Sequence, residues 1–117
     1  MAKEYSKYSD ITKADIAAWK KTKANLTEVE FDLDEMLDGK KAKFVICNPP
    51  RNILPSITEY GKQQNIDKIN EVLIANCVLG GDMEYLDSED GDTQVFLGVI
   101  EELGKRLEPR RSRSKKL

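Results

Sequence analysis

The chain has 117 residues, room for one hydrophobic core and not several. Its 39% hydrophobic and 34% charged residues, with four Pro and seven Gly, exclude collagen-like, low-complexity and wholly disordered classes. The sequence contains no His, which removes the commonest general base, the usual catalytic dyads and triads, and every zinc site that needs an imidazole.

Charge is spread unevenly. Residues 105–117 hold Lys105, Arg106, Arg110, Arg111, Arg113, Lys115 and Lys116 against Glu108, a net of +6, which leaves −8 on the other 104 residues and −2 overall. No apolar run approaches the roughly 20 residues that span a bilayer, and Met1 to Asp10 is polar where a secretory leader would be apolar. A cytoplasmic setting without membrane contact is therefore expected. Cys47 and Cys77 each sit in an apolar run, as buried free thiols do, and no C-x-x-C spacing suggests a metal.

In chain order, Asp10 or Thr12 can cap a first helix, with Asp15 completing a capping-box pattern and Ile16 and Trp19 on one face. That helix is expected to fade near Lys23. From Leu26 to Asp34 the pattern has period two, Val29, Phe31 and Leu33 alternating with acidic residues, which predicts a half-buried strand. Asp38-Gly39 supplies turn chemistry, and Lys43 to Asn48 predicts the returning strand of an antiparallel hairpin. Pro49 and Pro50 end it.

Ile53, Leu54, Ile57 and Tyr60 predict a short helix closed by Gly61. A third helix is predicted over Ile66 to Leu79, with Ile66, Ile69, Leu73 and Cys77 on one stripe and Gly80-Gly81 as a left-handed cap. Asp92 caps a last helix whose Val95, Phe96, Val99, Ile100, Leu103 and Leu107 form a wide apolar stripe, stopped by Pro109. The expected fold is α+β: an N-terminal helix, an antiparallel β-hairpin, then three helices packed on it. Residues 1–10 are expected to form a polar arm, 11–108 a single α+β domain, and 109–117 a basic disordered tail.

Two local patterns suggest chemistry and do not sustain it. Val45-Ile46-Cys47-Asn48-Pro49-Pro50 resembles the catalytic loop of amino-group DNA methyltransferases, but Arg51 stands where an aromatic residue should stack on a flipped base, and no Gly-rich cofactor loop follows a strand. The acidic run Asp87 to Asp92 fails as a calcium loop: with Gly91 sixth, the first and twelfth positions become Leu86 and Leu97. No catalytic, cofactor or metal residue is assigned.

Apolar surplus is more informative. Ile74 and Val78 lie off the third helix's stripe and Leu97 at the edge of the last one, which marks these three residues as candidate partner or self-association contacts. Arg110, Arg111, Arg113, Lys115 and Lys116 are candidate phosphate contacts. Without interleaved aromatic residues, any nucleic-acid binding is expected to be weak and nonspecific.

Five further segments belong together: Ala18-Trp19-Lys20-Lys21, Pro50-Arg51, Asn70-Glu71-Val72-Leu73 with Asn76-Cys77, Leu79-Gly80-Gly81-Asp82, and Phe96-Leu97, within about residues 14–107. In combination they resemble the small tail assembly chaperone-type proteins encoded in phage and prophage tail gene clusters, including versions from Bacteroides-like hosts. The resemblance implies a non-enzymatic role in the host cytoplasm: binding the long helical tape-measure protein, without a cofactor, before tail-tube subunits polymerise around it. The rival expectation is a small phage structural or nucleic-acid-associated protein that uses its basic C-terminal tail.

Overall fold

Local signals set most element boundaries in the computed structural model, which describes residues 7–33 and 41–117. The chain forms α1 (Lys13–Thr22), β1 (Thr27–Asp32), β2 (Lys41–Ile46), α2 (Leu54–Lys62), α3 (Ile66–Cys77), β3 (Val78–Gly81) and α4 (Thr93–Lys105). Single 3₁₀ turns occupy Tyr8–Asp10, Arg51–Ile53 and Met83–Leu86. The fold is α+β, as expected, with β1 and β2 antiparallel; the Asp38-Gly39 turn lies outside the described residues.

Thr12 caps α1 with a full capping box, Thr12 Oγ1 accepting from Asp15 N at 3.1 Å and Asp15 Oδ2 from Thr12 N at 2.9 Å. The reciprocal bonds satisfy two donors the first turn would otherwise leave open. α2 runs past Gly61 to Lys62, and Gln64 supplies the left-handed residue (φ 56°) that turns the chain into α3. There Asn65 N–H closes back on Tyr60 O at 2.9 Å.

The third helix departs most from expectation. It ends at Cys77, and Val78–Gly81 is a strand that pairs antiparallel with β2, giving a three-stranded sheet in the order β1-β2-β3. Gly80 and Gly81 face Val45 and Phe44 in the ladder rather than capping a helix, and Leu79 is the extra residue of a bulge between the Val45–Gly80 and Ile46–Val78 pairs. The reason is non-local. β2 is buried along most of its length, so the backbone groups on its second edge need a partner, and the chain leaving α3 supplies it. Val78 is consequently a core residue of the sheet, not a helix-surface contact.

The core lies between the inner sheet face and the helices. Ala42, Phe44 and Ile46 from β2 meet Leu73 and Cys77 of α3 and Val95, Val99 and Leu103 of α4. Phe31 packs edge-on to Phe44 with centroids 6.2 Å apart. Ile66, expected on the core stripe, is instead 67% exposed at the first turn of α3.

On the outer sheet face, Lys41 and Lys43 pair with Glu30 at 3.6 and 3.8 Å, exposed contacts worth about 0–1 kcal/mol each. Residues 8–10, within the polar arm expected over residues 1–10, are fastened to the sheet. Asp82 carries this junction, its carboxylate accepting from Tyr8 N at 2.9 Å and Lys43 N at 3.0 Å. Residues 109–117 adopt no helix or strand and are exposed.

Candidate functional site

The backbone between α3 and α4 builds an open cleft of about 620 Å³. One wall is α3, through Asp67, Asn70, Glu71, Ile74 and Ala75; the other is the first turn of α4, through Thr93 and Phe96, with residues 86–92 across one end. Its apolar lining comes from Ile74, Ala75, Leu86 and Phe96, and its acidic rim from Asp67, Glu71, Asp87, Glu89 and Asp92.

The end loop is shaped by its own side chains. Asp87 Oδ2 accepts from Glu89 N at 3.0 Å and Asp90 N at 2.8 Å, and these two N–H groups, Asp90 first, hold the Asp87 carboxyl below its ordinary range. Gly91 N donates to Asp87 O at 3.1 Å and Asp92 N to Tyr85 O at 2.9 Å, closing the loop tightly. A Cβ on Gly91 would lie 2.6 Å from Tyr85 O. Asp92 then caps α4, Oδ1 accepting from Val95 N at 3.0 Å, and aims the first turn so that Phe96 reaches the cleft. Among the described residues no group of three His, Cys, Asp or Glu side chains is placed to hold a metal ion.

The structure does not bring the three apolar candidates together. Ile74 lines the cleft, Leu97 is 58% exposed but lies outside the lining, and Val78 is buried in β3. Sequence reasoning missed Leu86 and assigned Phe96 to the core. A usable signal existed: Val95, Val99 and Leu103 already make a complete core row at i, i+4 and i+8, which leaves Phe96 and Ile100 as a second row facing elsewhere.

The basic stretch divides in two. Lys105 pairs with Glu102 at 3.4 Å, and Arg106 Nη1 donates to Asn48 Oδ1 at 2.8 Å, tying the end of α4 to the end of β2. Asn48 of the Asn-Pro-Pro sequence is thereby engaged in the fold. Arg110, Arg111, Arg113, Lys115 and Lys116 are exposed, with no ion pair among the described residues.

Both cysteines are free and buried. Cys47 N donates to Cys77 O at 2.9 Å, burial raises both thiols, and Cys77 reaches about 11. Thiols held protonated in this way are poor nucleophiles. Among the described residues no helix is long and apolar enough to cross a membrane. Comparison of the chain with protein-family models, with curated proteins and with solved structures finds no match.

Proposed function

We propose that this chain is a non-enzymatic binding protein of the phage tail assembly chaperone type, acting in the cytoplasm of a bacterial host. Its α3/α4 cleft receives an amphipathic helical segment of a tape-measure protein. The observation that carries the reading is the cleft itself: a trough between two helices, apolar along Ile74, Ala75, Leu86 and Phe96 and polar at its rim. Such a trough suits one face of a third helix, with anchors at i, i+3/i+4 and i+7. The most distinctive part of the family resemblance, Asn70 to Cys77, falls on α3, and Ile74 within that stretch lines the cleft.

A tape measure exposes long apolar stripes that aggregate when uncovered, and a coat of small domains shields them without ATP. The test is co-expression with a phage tape-measure protein. Co-purification is expected, with loss in Ile74→Asp and Phe96→Asp variants that still unfold cooperatively; no complex with the unaltered chain would reject the reading.

The five unpaired basic residues of the tail favour a second reading, contact with nucleic acid. If each neutralised one phosphate of duplex DNA, log affinity would fall with log salt at a slope of about −4.5. Affinity at physiological salt would be no tighter than roughly 10⁻⁴ to 10⁻⁶ M. A titration giving nanomolar, sequence-selective binding would put this reading first.

A further inference from the structure

The cleft and the tail are complementary in charge within one sequence. The rim presents Asp67, Glu71, Asp87, Glu89 and Asp92, and residues 109–117 carry five basic side chains and no acidic one. Only Glu71 of the rim has an ion pair among the described residues, with Lys68 at 3.2 Å. We propose that the α3/α4 cleft binds the basic C-terminal tail of a second copy of this chain, so that copies associate head to tail until a partner helix displaces the tail. The proposal rests on the same reading of the cleft as a docking surface.

Placement decides between a second copy's tail and the chain's own. Thr93 and Phe96, at the first turn of α4, line the cleft, whereas the tail leaves beyond Lys105 at the other end of the helix, about 14–18 Å away at 1.5 Å per residue. The chain's own residues 109–117 are exposed, and among the described residues none of their basic side chains pairs with the rim. A tail arriving from another copy can set all five basic side chains against the acidic rim. The contact joins two different surfaces, so it propagates into rings or open chains rather than stopping at a symmetric dimer.

The experiment is a charge swap on the full-length chain, followed by sedimentation velocity over a concentration series at low and high salt. The unaltered chain is expected to associate in a concentration-dependent way at low ionic strength and to dissociate when salt shortens the screening length. Glu71→Lys with Glu89→Lys, and separately Arg110→Glu with Arg111→Glu and Arg113→Glu, are each expected to weaken association by about tenfold or more. Mixing the two variants is expected to restore it, because a reversed tail then meets a reversed rim. A chain that stays monomeric at every concentration and salt, or a mixture no more associated than its components, would overturn the proposal. Co-purification with the tape-measure protein is scored separately, so failure of self-association is distinguishable from failure of the binding function. Competition links the two: a saturating tape-measure helix is expected to dissociate the oligomer, and a helix bound to undissociated oligomer would contradict the shared site.

Discussion

Gly81 is the position where one added methyl group tests the unexpected part of the fold. Its φ of +148° lies in a region that residues with a side chain rarely adopt, and a Cβ there would come within 2.7 Å of both Cα and Cδ1 of Phe44 and closer still to Lys43 O. Strain of that kind costs about 1–3 kcal/mol. Forcing a methyl against a central strand costs about 1–3 kcal/mol more. Gly81→Ala is thus expected to remove about 2–6 kcal/mol from a domain whose whole stability is of order 5–15 kcal/mol. The damage should spread, because Asp82 follows at once, its N–H on Lys43 O at 2.9 Å and its carboxylate holding the Tyr8 turn.

Gly104 is the control. It is exposed in α4, a Cβ there meets nothing within 4 Å, and Gly104→Ala should stabilise by about 0.5–1 kcal/mol. Urea unfolding followed by far-UV circular dichroism and by Trp19 fluorescence measures both, with unchanged m-values. A Gly81→Ala protein within about 1 kcal/mol of the parent would refute the pairing of β3 with β2, since only that pairing creates the clash.

Val78→Asp places an unpaired carboxylate in the core and is expected to abolish cooperative unfolding, whereas Leu97→Asp, on an exposed helix face, should change stability by no more than about 0.5 kcal/mol; thermal melts decide both. Alkaline pH should destabilise the fold. Burial raises the Cys77 thiol from 9.0 to about 11, and hydrogen bonding to Glu28 raises the Tyr8 hydroxyl from 10.0 to about 12, so the folded state keeps protons that the unfolded chain releases. Their contribution is complete below about pH 9 and is lost as pH rises toward about 12; Cys77→Ala should flatten the lower part of that decline in urea midpoints measured against pH. Thr12→Ala removes the capping box at a cost of about 1 kcal/mol, and because α1 buries no residue the effect should appear as faster amide exchange within α1 rather than a lower global midpoint.

The sequence made α1 and α4 legible because their signals are local: Thr12 with Asp15, and Asp92 before an apolar row, specify a helix start wherever the rest of the chain lies. β3 was hidden because Val78 and Leu79 continue the apolar pattern of α3 and Gly80-Gly81 has the composition of a helix cap. What decides that segment is the open edge of β2, more than thirty residues away, which no short window contains. The error with Val78 as a contact residue follows directly from it. Ile74 was legible as an unpartnered apolar position; Phe96 was absorbed into the core because helical periodicity gives the width of a stripe and not which neighbour covers each row. The tail's charge could be read outright, while the acidic lining of the cleft could not. The acidic rim is assembled from residues on α3 and a loop twenty positions later, joined only by folding.

The most direct test of the α3/α4 cleft as the docking site is backbone-amide NMR on isotope-labelled full-length chain, titrated with an amphipathic helical segment of a phage tape-measure protein. Shift changes are expected to centre on Ile74, Ala75, Leu86 and Phe96, and to disappear in Phe96→Asp while the rest of the spectrum stays folded. Changes confined to the outer face of β1 or to residues 109–117, or undiminished binding by Phe96→Asp, would contradict it.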